Sequence, residues 1–253
     1  FREYFVGNMA EHHTRSKIQE GIDYIGRTPA IRDVLVTGGD PLLFSDERLD
    51  DLFGRLRAIK HVQIIRIGSR TPCTLPQRIT PDLCKILNRY HPIWLNTHFN
   101  HPAEITSDSA LACDRLLSAG VPLGNQTVLL KGVNDSPEVM IELVHQLLLI
   151  RVRPYYIFQC QLVAGTSHLR TSIETGLSII QALRGHTTGF GVPSYVLDTP
   201  YGKVPLAPQY VLGRSGDEVV VRTFDGKIWR EPNPLDTPPP VGIELPKLLN
   251  CDP

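Results

Sequence analysis

A strand followed by an amphipathic helix recurs five times between residues 34 and 184, and no other feature of the 253-residue chain restricts its fold so tightly. The strand runs are VLVTGG (34–39), VQIIRIGSR (62–70), IWLNTHF (93–99), VPLGNQTVLL (121–130) and RPYYIFQ (153–159). After the first, Ser45 opens a helix with Leu49, Leu52, Phe53 and Leu56 on one face; after the second, Thr80-Pro81 opens one with Leu83, Ile86, Leu87 and Tyr90. Ser136-Pro137 repeats that start signal before the helix from Met140 to Leu149, and further helices are expected near 107–118 and 172–184. A hydroxyl N-cap followed by proline at the first helical position satisfies a free N–H and presets φ, so these boundaries have a physical cause. Units of about 30 residues, strand then helix, imply a parallel sheet and favour a barrel over a sandwich.

Polar residues collect where these strands end: Gly38-Gly39-Asp40, Ser69-Arg70, Asn96-Thr97-His98, Asn125-Gln126 and Gln159-Cys160-Gln161. Barrel enzymes build their sites at that end of the strands. VLVTGGDPLLF admits two readings. It is a strand stopped by glycines and proline at a tight turn, or a stretch where Gly38 and Gly39 bare the backbone to a small ligand and Asp40 meets its ammonium. Beyond residue 190 the alternation gives way to VPSYVLDTPYGK, an extended run broken by prolines and glycine. EVVVRTFDGKIW then reads as a hairpin turning at Asp225-Gly226, and a proline-rich end either wraps a partner subunit or is loosely held.

The balance of charge, 26 basic against 26 acidic residues, gives no argument for nucleic acid or an acidic membrane surface. No apolar run reaches the length of a membrane span and the start lacks a signal peptide, so the expectation is a cytoplasmic protein. Five cysteines lie far apart with no C-x-x-C pair, so neither a disulfide framework nor a self-contained metal site is readable, and no metal ligand is assigned.

The segments GGD, VQIIRIGSRTP, LPQRIT, HPIWLNTHFNHP, AGVPLGNQTVLLKGVND and IRVRPYYIFQC, in this order and spacing, resemble the lysine 2,3-aminomutase family of the radical S-adenosylmethionine superfamily, over residues 1 to about 231. The resemblance implies an α/β fold, a partial TIM-like barrel of six βα units. In that fold a [4Fe–4S] cluster cleaves S-adenosylmethionine to a radical, and pyridoxal phosphate held by a lysine lets an amino group migrate. It implies that Gly38, Gly39 and Asp40 bind the methionine end of S-adenosylmethionine, with Gln126 and His98 as further contacts. Arg70 is left open between a carboxylate or phosphate contact and a structural ion pair. Lys203, in LDTPYGKVPL, corresponds to the cofactor lysine; such an amine reacts only when deprotonated, which burial favours. The segment before it is shorter than in the lysine enzyme. Asp198 corresponds to an acid holding the distal ammonium of the substrate, and Arg2 to an arginine taking its carboxylate.

Three departures qualify that resemblance. The cluster cysteines are expected immediately upstream of Phe1, so the first barrel strand and the cluster ligands are expected to be missing from the chain as written and the radical step with them. Ser136 stands at a cysteine of the lysine enzyme, so its structural zinc is not expected. Gln161 stands where a second acid is expected. The organisation expected is a partial barrel over 1–190, a cofactor-lysine segment and hairpin over 191–231, and a proline-rich tail over 232–253. The expected activity is an aminomutase, with conversion of L-lysine to β-lysine foremost; the alternatives are the same chemistry on glutamate, arginine or another amino acid, or a non-catalytic binding relative. An amino-acid substrate, an external electron donor and assembly as a homo-oligomer complete the expectations, with no nucleic-acid or membrane partner.

Overall fold

The computed structural model describes residues 15–223, 225–232 and 246. Its centre is a seven-stranded sheet in the order β1-β2-β3-β4-β5-β6-β7, with β1 and β7 at its edges. Strands β1 (Asp33–Val36), β2 (Ile64–Gly68), β3 (Ile93–Thr97), β4 (Leu123–Leu129), β5 (Arg153–Gln159) and β6 (Ser194–Thr199) run parallel; β7 (Gly202–Leu206) returns antiparallel to β6. Helix α1 (Arg15–Arg27) precedes the sheet, and α2 (Asp46–Ala58), the short α3 (Thr71–Thr74), α4 (Pro81–Arg89), α5 (Ser107–Ser118), α6 (Pro137–Leu149) and α7 (Ile173–Leu183) connect consecutive strands. The sheet curls into the partial barrel expected.

The five long connecting helices start alike. Ser45, Thr80, Thr106, Ser136 and Ser172 each accept a hydrogen bond from the backbone N–H three residues on, and Pro81 and Pro137 occupy the first turn. Each such cap contributes about 1 kcal/mol, so the sequence fixes where every crossover turns back. Alternate strand residues face the helices: Ile65, Ile67, Ile93, Leu95, Leu129 and Ile157 are buried there against Leu83, Leu116 and Leu143. The other sheet face lines the barrel interior and carries Arg66, Trp94, Asn96 and Gln126, none of them buried.

Three differences from the sequence reading have clear causes. Helix α1 was not anticipated: it has no acidic first turn and carries Gly21 and Gly26, but Ile22 is buried and Ile18 and Ile25 pack against the core. The run expected as merely extended is the strand pair β6–β7. The expected hairpin is β9 (Glu218–Arg222) with β10 (Ile228–Pro232), where Gly226 takes φ 84°. It gains a third strand, β8 (Val211–Ser215), through a turn in which Gly216 takes φ 62°. Of the proline-rich tail, only Pro232 and Pro246 are described, and the Pro246 carbonyl accepts from the Arg214 N–H at 2.8 Å.

Candidate active site

The carboxyl ends of β1 to β6 converge on a cavity of about 450 Å³. Gly39 and Asp40, Arg70, His98, Gln126, Gln161 and Asp198 each contribute to its wall. The structure therefore brings most of the residues singled out in the sequence to one place. Gly38 lies beside them with φ 151°, a conformation a side chain would strain. A Cβ placed on Gly39 would meet nothing within 4 Å, so the backbone there is open to whatever enters. Arg2 lies outside the described residues.

Asp40 is the most heavily bonded side chain of the rim. Its Oδ1 accepts from Ser69 Oγ at 2.7 Å and the Leu42 N–H at 3.1 Å; its Oδ2 accepts from the N–H groups of Arg70 at 2.7 Å and Thr71 at 3.1 Å. The Arg70 guanidinium donates to Glu104 Oε1 at 2.6 Å, and Glu104 Oε2 accepts from the Asn100 and His101 N–H groups. Arg70 thus has a structural ion pair, one of the two roles left open for it.

The sequence placed Asn125-Gln126 at a strand end, but β4 runs on to Leu129 and the pair sits mid-strand. Pleating sends the two side chains to opposite faces. Gln126 faces the cavity, whereas Asn125 is buried, accepts from the Phe99 N–H at 2.7 Å and donates to the Phe99 carbonyl and Thr127 Oγ1. Asn134 donates to the Asn100 and Val128 carbonyls, and Asn100 Oδ1 accepts from the Val128 N–H. These bonds fasten the segment after His98 to β4. Sequence reasoning missed Glu104, Asn100 and Asn134, and grouped Asn125 with the strand-end residues without seeing that its role is to hold the Phe99 main chain. Only Glu104 had a local signal, its place three residues after the His101 cap.

Asp198, near the end of β6, closes another side of the cavity, and the β6–β7 hairpin carries Lys203 beside it. A two-residue connection, Pro200-Tyr201, makes Asp198 and Lys203 direct cross-strand partners, with Lys203 Nζ 3.5 Å from Asp198 Oδ1. Gln161 donates from Nε2 to Asp198 Oδ2 at 3.3 Å. Lys203 Nζ also lies 5.7 Å from the ring centroid of Phe158, a cavity-lining residue, and its side chain is 49% exposed. Lys203 does not itself line the cavity; its amine stands beside two residues that do, Asp198 and Phe158, and is accessible from outside. Beneath it, burial pushes the Tyr195 hydroxyl up to about 12, with Glu174 adding to the shift, and that hydroxyl donates to Gln159 Oε1.

Comparison with known proteins bears on this geometry. The family model described as Lysine-2,3-aminomutase matches residues 180–242, the stretch carrying Asp198 and Lys203. The L-lysine 2,3-aminomutase of Fusobacterium nucleatum is 56% identical over 229 residues, covering 90% of this chain and 54% of that protein. That of Clostridium subterminale is 54% identical over 240 residues, covering 94% and 58%. Along the stretch it shares with them, the chain belongs to the lysine 2,3-aminomutase family. It spans a little over half the length of these two relatives. The glutamate 2,3-aminomutase of Clostridioides difficile is 50% identical, covering 88% of this chain and 53% of its own, and a lysine 2,3-aminomutase from Bacillus subtilis only 49%. Overall identity within the family therefore does not separate the two substrates. Among solved structures, anSMEcpe with bound AdoMet matches at a TM-score of 0.54 with 10% identity, over 67% of this chain and 50% of that one. Streptococcus suis SuiB bound to S-adenosylmethionine matches at 0.52 with 12% identity, over 72% and 43%. At these identities the likeness shows the fold alone, the partial barrel. No helix among the described residues is long and apolar enough to cross a membrane.

Proposed function

We propose that the protein containing this chain is a radical S-adenosylmethionine aminomutase that moves the α-amino group of an amino acid to the β-carbon. The observation that carries the reading is the meeting at one cavity of a glycine-opened rim and Asp198, an acid whose cross-strand partner is the accessible Lys203. Both implied organic cofactors fit what is present. Gly39 leaves space where a side chain would stand, and Thr97 Oγ1, at the cavity wall, is buried with no hydrogen-bond partner among the described residues. An adenosyl sulfonium cofactor supplies a carbon radical, and pyridoxal phosphate supplies a π-system across which the amino group passes. Gly38, Gly39, His98 and Gln126 bind and orient the first, His98 and Gln126 through donors and acceptors suited to its ribose and carboxylate. Lys203 tethers the second. The [4Fe–4S] cluster and an external electron donor belong to the same reading, with cluster ligands outside these residues.

Asp198 and Gln161 select the substrate. Because Gln161 gives its amide N–H to Asp198, its carbonyl oxygen is left to accept, and an ammonium entering between them meets one charged and one neutral acceptor. A charge-assisted hydrogen bond contributes roughly 1.5–3 kcal/mol and a neutral one roughly 0.5–1.5. Replacing a second acid by Gln161 thus weakens selection of a cation by about ten-fold without abolishing it. An anionic side chain is repelled by Asp198. Lysine is accordingly the first substrate, with looser discrimination than two acids would give. A competition assay on the full-length protein among lysine, arginine, glutamine and glutamate tests this. Lysine should lead, and Gln161→Asp should sharpen its lead; turnover of glutamate above lysine would overturn the substrate assignment.

A further inference from the structure

Asp40 follows the two glycines of the first strand end, where an acid invites assignment as the partner of a ligand ammonium. Its surroundings leave it little capacity for that. A carboxylate presents about four lone-pair sites, and four donors within the chain, Ser69 Oγ and the N–H groups of Leu42, Arg70 and Thr71, occupy them at 2.7–3.1 Å. Ser69 and Thr71 are 5% and 1% exposed, so water does not stand in readily if a bond is lost. We infer that Asp40 is a positioning residue: its carboxylate holds the Ser69-Arg70-Thr71 turn against the end of β1 and so shapes the cavity wall, instead of receiving the ligand's ammonium.

The inference rests on the reading of this cavity as the S-adenosylmethionine site and concerns one residue's role within it. Asp40 fixes the Arg70 backbone, the Arg70 guanidinium meets Glu104, and Glu104 receives the Asn100 and His101 N–H groups. The ends of β1, β2 and β3 are thereby tied in series, and both rim carboxylates are engaged by neighbours. An ammonium could reach Asp40 only by displacing one of these donors and leaving a buried N–H or hydroxyl without a partner. Asp40→Asn keeps the size but turns one acceptor into a donor, which faces either the Arg70 and Thr71 N–H groups or the Leu42 N–H according to how the amide is turned. Ser69→Ala removes one donor and leaves the carboxylate in place.

The two roles separate by ligand. S-adenosylhomocysteine and its des-amino analogue, which keeps the nucleoside and carboxylate, differ only in the ammonium. Their affinities for the full-length protein, its Asp40→Asn variant and its Ser69→Ala variant are measured by titration calorimetry below the melting temperature of every form. If Asp40 positions the wall, each variant weakens both probes by the same factor, about ten-fold for Asp40→Asn and several-fold for Ser69→Ala. A loss confined to the amine-bearing probe would make Asp40 the ammonium contact and overturn the inference. A lowered melting temperature with both affinities unchanged would reduce Asp40 to a merely structural residue and overturn it too. Failure of the wild-type protein to bind either probe would remove the cofactor reading itself, and the inference with it.

Discussion

The rim formed by the ends of β1 to β4 and the β6–β7 hairpin, which meets the same cavity at Asp198, are held in opposite ways. In the rim, side chains stand in for missing ladder bonds: Asn125 and Asn134, 1% and 0% exposed, both bond main-chain groups of the segment after β3, and Asp40 does the same between β1 and β2. In the hairpin, four of the five residues of β7 are exposed and Tyr201 at its tip is fully so; among the described residues the Asp198 carboxylate has contacts of 3.3 and 3.5 Å. A surface pair at that distance contributes about 0–1 kcal/mol. The difference teaches that Asp40, Asn125 and Asn134 are committed to the shape of the rim, while the polar groups of the hairpin remain available for chemistry.

The largest effect that bears on this contrast is expected at the root of the hairpin. A Cβ on Gly176 would lie 2.2 Å from Cζ of the buried Tyr195 ring, so helix α7 and β6 can pack only with glycine there. Gly176→Ala should destabilise the protein by about 3 kcal/mol, read by denaturant unfolding. A neutral result would mean that β6 is not seated on α7 as described.

Next comes the rim. Asn125→Ala leaves the Phe99 N–H and carbonyl without their side-chain partner in a buried place and should cost about 2 kcal/mol. Asp198→Asn and Lys203→Met, by contrast, should each change stability by less than about 1 kcal/mol while removing ligand chemistry. Equal losses for Asn125→Ala and Asp198→Asn in the same unfolding assay would break the comparison.

Much of the fold was legible because its causes are local. Ser45, Thr80 and Ser136, and the proline that follows the last two, act within three residues, and the observed helices start where those signals fall. Helix α1 and β8 were not legible, since α1 is fixed by packing of its isoleucines and β8 by pairing with β9. At the site, the residues that face the cavity were readable as polar strand ends. Glu104 was not read at all and the structural role of Asn125 was not seen, because their partners, Arg70 and Phe99, lie 34 and 26 residues away in sequence and are met only after folding. Asn125 and Gln126, grouped together as strand-end residues, take opposite faces because β4 continues through both of them.

The smallest predicted effect concerns the cysteines behind the rim. Burial, with Glu104 adding to it, pushes the Cys73 thiol up to about 11, and burial pushes Cys113 up to about 12. A raised thiol value keeps the unreactive protonated form until the pH nears it, so iodoacetamide at pH 8 should leave both unmodified in the folded protein. Glu104→Gln should shift Cys73 labelling modestly toward lower pH; rapid alkylation of wild-type Cys73 at pH 8 would show that the rim opens.

The central claim is that the hairpin presents Lys203 as the amine that captures pyridoxal phosphate, and one measurement addresses it directly. The folded full-length protein is incubated with pyridoxal phosphate, reduced with borohydride, digested and mapped by mass spectrometry. The pyridoxyl mass is predicted on the peptide containing Lys203 and absent from a Lys203→Met variant. A label on Lys131 or another lysine, or none on the wild-type protein, would contradict the account.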